Sequence, residues 1–163
     1  MLIKRLENEE EIKGKAIVHC QAWQEAYAGL IDPAFLAGRS VETSEKYARQ
    51  ALAQGYPTFV AKAGDRVIGF VDYGPCRNSD LPEAGEVYAL YILQAYYDQS
   101  IGSALMQRAL AELKDYEQVV VWVLEGNERA IRFYEKCGFR RDGKEQELML
   151  GTKVKEVRMV KRK

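Results

Sequence analysis

The stretch YYDQSIGSALM, Tyr96 to Met106, joins one apolar run, VYALYIL, to another, ALMQRALAEL. A strand, a turn and a helix start are implied. The first turn of a helix leaves its amides without acceptors and carries the positive end of the helix dipole, so anions bind there. A diphosphate in that position is held mainly by main-chain N–H groups. Gly102 lets a ligand approach the backbone, and Ser100 and Ser103 add hydroxyl donors. Two residues oppose this reading. Ser100 takes up a positive φ less readily than glycine. Asp98 puts negative charge beside a negative ligand unless it faces solvent or caps the helix. A phosphate cradle and an ordinary strand–helix turn both fit these residues.

Other chemistries are less well supplied. Cys20, Cys76 and Cys137 are odd in number and lack C-x-x-C spacing, and His19 is the sole histidine. Free thiols in a reducing, cytoplasmic setting are expected, and no metal site. Lys plus Arg and Asp plus Glu number 24 each, which gives no electrostatic footprint for nucleic acid or an anionic membrane. No apolar run reaches the roughly 18 residues of a membrane span, and the N-terminus has no signal-peptide core. The basic C-terminus, KVKEVRMVKRK, reads as an alternating edge strand with a charged outer face. An exposed edge there leaves a homodimer open.

The elements that must position the loop follow from periodicity. LIKRL alternates as a strand. Asn8 is a helix N-cap with Glu11 as its capping-box partner. Ile12, Ala16, Cys20, Trp23 and Tyr27 then form one helical stripe that stops at Gly29. Asp32-Pro33 starts a short helix, and VETSEKYARQALAQG a longer one ending at Gly55. TFVAKAGDRVIGFVDYG is a hairpin turning at Gly64-Asp65. EVYALYIL is a strand, and RNSDLPEAG before it a polar loop. The helix after the Tyr96–Met106 turn is apolar at Ile101, Leu105, Ala109 and Leu113. VVVWVL has the continuous apolar character of a strand buried on both faces. ERAIRFYEKC is a helix with the stripe Ala130, Phe133, Tyr134 and Cys137, stopped at Gly138. FRRDGKEQELML and KVKEVRMVK close the chain as strands. One domain over residues 1–163 is predicted, an α/β (α+β) fold with a mixed sheet and helices on both faces. The strand–helix–strand unit around the loop should be a right-handed parallel crossover.

Two segments in this order, ALYILQAYYDQSIGSALMQRAL and NERAIRFYEKCGF, resemble the GNAT superfamily of acyl-CoA N-acyltransferases. The second matches the pattern N-x-x-A-x-x-F-Y-x-K-x-G-F at Asn127, Ala130, Phe133, Tyr134, Lys136, Gly138 and Phe139. AWQEAYAGLI resembles a W-x-x-x-Y-x-G-L element of one bacterial branch. The resemblance spans essentially the whole chain. It implies a GNAT-like, mostly antiparallel sheet of about seven strands and acetyl-CoA as acyl donor. The family's phosphate-loop pattern, Q/R-x-x-G-x-G/A, falls on Tyr97-Asp98-Gln99-Ser100-Ile101-Gly102. Only the last glycine matches: Tyr97 replaces Gln or Arg, and Ser100 replaces Gly. Retained coenzyme A binding with weakened affinity is the expectation, through Tyr97 to Ser103.

The reaction implied is attack of an amine on an acetyl thioester. In the family, main-chain groups at the positions of Leu90, Tyr91 and Ile92 bond the pantetheine arm and the acetyl carbonyl, as an oxyanion donor would. Asn127 resembles the side chain that bonds the pantetheine and can also serve as an N-cap. Tyr134 falls where the family has its general acid. A phenol with pKa about 10 is protonated at neutral pH and can donate to a departing thiolate. Glu86, near where many relatives carry a Glu, is a candidate base, or else a solvated strand-end carboxylate. By alternation it shares a face with Tyr88 and Leu90, an arrangement a bulge would reverse. A base used by some relatives, five residues before Asn127, is absent, since Trp122 stands there. Trp23, Tyr27, Tyr73, Tyr88 and Tyr91 could line the acceptor site. The alternative to an enzyme is a GNAT-like module that senses acyl-CoA without turnover.

Overall fold

In the computed structural model, which describes residues 1–163, β1 (Leu2–Arg5) leads into α1 (Glu9–Tyr27), α2 (Pro33–Ala37) and α3 (Val41–Ala53). A meander follows: β2 (Thr58–Ala63), β3 (Arg66–Pro75) and β4 (Gly85–Ile92). A short 3-10 turn (Gln94–Tyr96) precedes α4 (Ile101–Glu112), then β5 (Gln118–Leu124), α5 (Glu128–Lys136), β6 (Arg140–Met149) and β7 (Lys153–Arg162).

Local chemistry accounts for the helix ends. The Asn8 side chain accepts the Glu11 amide at 2.9 Å. The Glu11 carboxylate accepts the Glu7 amide at 2.9 Å rather than that of Asn8, so the box is displaced by one residue. Asp32 accepts the Phe35 amide at 3.0 Å at the start of α2. Gly138 ends α5 at φ 98°, a conformation glycine adopts without penalty.

The strand order is β1-β2-β3-β4-β5-β7-β6, antiparallel throughout except between β4 and β5. Both faces are covered. Along β2, Phe59 and Ala61 pack on the side of α4 and α5, with Leu105, Met106 and Phe139. Val60 packs on the other side with Ile12 and Val18 of α1 and Ala48 of α3. Fully burying a side chain of the size of Leu105 or Phe59 contributes roughly 1.5–3 kcal/mol. The predicted stripe of α4 is buried at Ile101, Leu105, Ala109 and Leu113. In α5 the fully buried pair is Ile131 and Tyr134, while Ala130, Phe133 and Cys137 stay partly open.

The C-terminal strand is not an edge. β7 lies between β5 and β6, and Val157, Arg158, Met159 and Val160 are all buried. Its charge misled the alternation argument. The Arg158 guanidinium is 5% exposed and sits between Asp80 at 2.8 Å and Asp142 at 2.7 Å. Paired on both sides, it is tolerated inside the sheet. The open edge is β6, exposed along nearly its whole length.

Candidate active site

β4 and β5 are in register at only two pairs, Gly85 with Val119 and Glu86 with Val120. Beyond them the strands part, and a cleft of about 950 Å³ opens through the sheet. β4 also changes face within this region. Tyr73 pairs with Val87 and Asp72 with Ala89, so Tyr88 is an extra residue, a bulge. Leu90 and Ile92 then pack toward α4, while Ala89 and Tyr91 pack toward α1. The bulge puts Glu86 on the face of Ala89 and Tyr91, not on that of Leu90 as simple alternation predicted.

At one end of the cleft stands the turn before α4. Asp98 and Ser100 both hold left-handed backbone, at φ 63° and 62°. Ser100 occupies the N-cap position yet makes no capping bond, and Asp98 does not cap either. Its carboxylate meets the Arg129 guanidinium at 3.2 Å, and that guanidinium lies 4.1 Å from the centre of the Tyr97 ring. The amides from Asp98 to Ser103 therefore find no acceptor in the protein. Asp98 does not act as the cap of an ordinary turn, and all of these residues but Gln99 border the cleft. Gly102 has a packing role as well. A Cβ there would stand 3.1 Å from Ile92 Cδ1 and 3.3 Å from Phe133 Cζ. Tyr97, Asp98, Ser100, Ile101, Gly102 and Ser103 all line the cleft, and the exposed Gln99 does not.

Arg129 was missed by sequence reasoning, although a signal existed. It is a cation in the first turn of a helix, where the dipole disfavours one. With Arg132 and Lys136 it forms a basic rim on α5, and all three line the cleft. The positive charge absent at position 97 is thus delivered from another element. Asn127 accepts the Ala130 amide at 3.3 Å through Oδ1, which leaves its amide nitrogen free toward the cleft.

Tyr134 stands at the parting of the strands, 7% exposed, its ring against Phe133 and Phe139. Its hydroxyl has no hydrogen-bond partner in the protein, though the residue lines the cleft. Burial holds this phenol well above the usual range, with Tyr91 and Cys137 adding to the effect. It stays protonated at any physiological pH.

On the α1 side the wall is aromatic. Trp23, Tyr27, Tyr88 and Tyr91 line it, and the hydroxyls of Tyr27 and Tyr91 are 2.8 Å apart. Tyr73, expected here, instead stacks on Phe59 in the core of the opposite face. Behind Tyr91 lies His19, ring to ring at 5.5 Å, with Arg39 reaching its Nε2 at 3.3 Å. Burial, reinforced by the Arg39 charge, pulls the His19 pKa down to about 4.

Glu86 closes the far end. It is 1% exposed, accepts the Arg77 amide at 2.9 Å and holds the Arg77 guanidinium at 2.8 Å. Its oxygens are occupied. Trp122 donates to Asn78 at 3.1 Å. No cluster of three or more His, Cys, Asp or Glu side chains is placed to hold a metal ion. The three cysteines are free thiols, and no helix is long and apolar enough to cross a membrane.

The sequence profile of the acetyltransferase (GNAT) family matches residues 23–139, from Trp23 on α1 past the end of α5, which takes in most of the cleft lining but not that from β6 and β7. The chain belongs to the GNAT family. Among its relatives, an uncharacterized N-acetyltransferase of Bacillus subtilis is 30% identical over 151 residues, 91% of this chain and 86% of that protein. A probable N-acetyltransferase of Mycobacterium tuberculosis is 28% identical over 132 residues, 79% of this chain and 74% of the relative. The PaiA N-acetyltransferase of Thermoplasma acidophilum, solved in complex with coenzyme A, shares the fold at TM-score 0.77 and 19% identity over the full length of both chains. A ribosomal-protein-alanine N-acetyltransferase from Brucella melitensis shares it at TM-score 0.77 and 18% identity, again over both full lengths. This GNAT protein is an acetyl-CoA-dependent N-acetyltransferase.

Proposed function

We propose that this enzyme moves the acetyl group of acetyl-CoA to a primary amine of a small molecule or peptide by direct attack, with Tyr134 as general acid. The observation that carries this reading is Tyr134, a buried side chain whose hydroxyl is protonated and has no protein partner, in a cleft whose other end is a run of free amides. The coenzyme's phosphates go to the amides from Asp98 to Ser103, with Arg129 balancing Asp98 and adding positive charge. Main-chain groups of Leu90 to Ile92, along the unpaired side of β4, receive the pantetheine arm and the thioester carbonyl. The free nitrogen of Asn127 bonds the same arm. The acceptor enters from the α1 side, past Trp23, Tyr27 and Tyr91. Glu86, neutralised by Arg77, shapes the floor of the cleft and takes no proton.

The test has two stages. Acetyl-CoA should raise the melting temperature, because it binds only the folded protein. Thiol release should then appear with members of a panel of primary amines. A thermal shift with no thiol release from any amine would leave an acyl-CoA-binding module without turnover.

A further inference from the structure

Direct attack needs an unprotonated amine, and an alkylammonium has a pKa of about 10. Four carboxylates line the cleft: Glu25, Glu86, Asp98 and Glu156. Glu86 and Asp98 are ion-paired with Arg77 and Arg129. Glu25, without a cationic partner, accepts the Gln94 amide at 3.1 Å near the Tyr97 end, and its other oxygen is buried and unpartnered. Glu156 has one partner, the neutral side-chain amide of Gln146 at 3.1 Å.

The placement of Glu156 is specific. It pairs with Leu124 across β5 and β7, and Val157 next to it packs in the α4–α5 core. Its side chain is therefore on the α1 face, where the acceptor enters. Gln146 from β6 bonds it, and Tyr27 from α1, Glu86 and Tyr91 from β4 and Arg77 from the loop after β3 line the same cleft, close enough for their charges to bear on it. Arg158 on its own strand is already taken by Asp80 and Asp142. The Tyr27 and Tyr91 hydroxyls, 2.8 Å apart, line the same cleft as Glu156 and Tyr134.

We propose that Glu156 takes the proton of the acceptor's ammonium, from the face of the sheet opposite Tyr134. The inference rests on the direct-attack reading above. An ammonium N–H bond breaks, and its proton passes to a Glu156 carboxylate oxygen. The freed lone pair forms the C–N bond to the acetyl carbon as the C–S bond breaks. The second surplus proton on nitrogen replaces the one Tyr134 gives to the sulfur. Ammonium and thioester become amide and thiol, and Glu156 returns one proton to solvent. Burial, with Glu86 adding, lifts the Glu156 carboxyl above its ordinary range against the opposing pull of Gln146 and Arg77, which makes it a better base than a free carboxylate.

The experiment follows thiol release from pH 5 to 9 with acetyl-CoA and three amines: spermidine, lysine amide and a tetrapeptide with a free N-terminus. Glu156→Gln should lower kcat/KM about 100-fold and flatten the acid limb of the profile. Its acetyl-CoA thermal shift should match that of the wild type. Glu156→Asp should restore part of the limb, and Glu25→Gln should leave it in place. Trifluoroethylamine, a weakly basic amine, should be nearly indifferent to Glu156→Gln. A Glu156→Gln enzyme within twofold of the wild type, with its acid limb intact, overturns the assignment while leaving the transferase reading standing. A wild-type protein that binds acetyl-CoA but acetylates none of the amines overturns both.

Discussion

The two ends of the cleft are made of different material. Toward α4 the groups on offer are main-chain amides, from Asp98 to Ser103, framed by small side chains and a basic rim from α5. Toward α1 they are side chains, Tyr27, Tyr91 and Glu156, brought from a helix and two strands that are distant in sequence. The first end depends on backbone shape and tolerates substitution so long as the turn closes. That is how the loop can lose a glycine and its leading Gln or Arg and still present donors. The second end offers side-chain groups, each supplied by a single residue. Tyr134 stands where the two meet.

The strongest break in this comparison is at that meeting point. Tyr134→Phe should lower kcat by roughly 100- to 1,000-fold and leave coenzyme affinity nearly unchanged, as read by steady-state kinetics beside calorimetric titration. Unaltered kcat would remove Tyr134 as the acid. The wall behind Tyr91 offers a pH test. His19 titrates at about 4 in the folded protein against an ordinary 6.5. The unfolded chain therefore binds the extra proton first, and stability falls as pH drops from 6.5 toward 4, by up to about 3 kcal/mol. Denaturant midpoints across that range should show the loss, and His19→Gln should remove most of the slope.

Smaller effects belong to the backbone end. Arg129→Ala should weaken coenzyme A binding about three- to tenfold, less so at high salt, since the ion pair it leaves is exposed. A loss of 100-fold or more would mean that the side chain, not the main chain, carries the phosphate site. Ser100→Gly relieves a left-handed serine and should hold or tighten coenzyme binding. Its net effect on stability should stay under about 1 kcal/mol, because glycine also frees the unfolded chain. A marked loss of affinity on Ser100→Gly would show that the hydroxyl itself holds the ligand.

The same division explains how much the sequence disclosed. Ile101, Leu105, Ala109 and Leu113 announce α4 by their spacing, and VVVWVL announces a strand covered on both faces, because each signal is local. The Asn127–Phe139 segment was legible for the same reason. The bulge at Tyr88 was not, since one extra residue in β4 leaves no mark on composition yet turns Leu90 away from the face of Glu86. The place of β7 was hidden by Arg158, a charge whose partners Asp80 and Asp142 lie in a distant loop and on a neighbouring strand. Glu156 was overlooked with it: read as part of a charged edge, it had no reason to stand out.

The parting of β4 from β5 gives this sheet four edges instead of two. The outer pair, β1 and β6, meets solvent. The inner pair begins beyond Glu86 and Val120, where each strand loses its neighbour inside the fold. Such an edge is a vacant rung of a ladder, ready for any chain of amides of matching length. A donor that carries amide groups along its arm would close it. Amide hydrogen exchange in β4 and β5 should then slow together, and two half-sheets would behave as one.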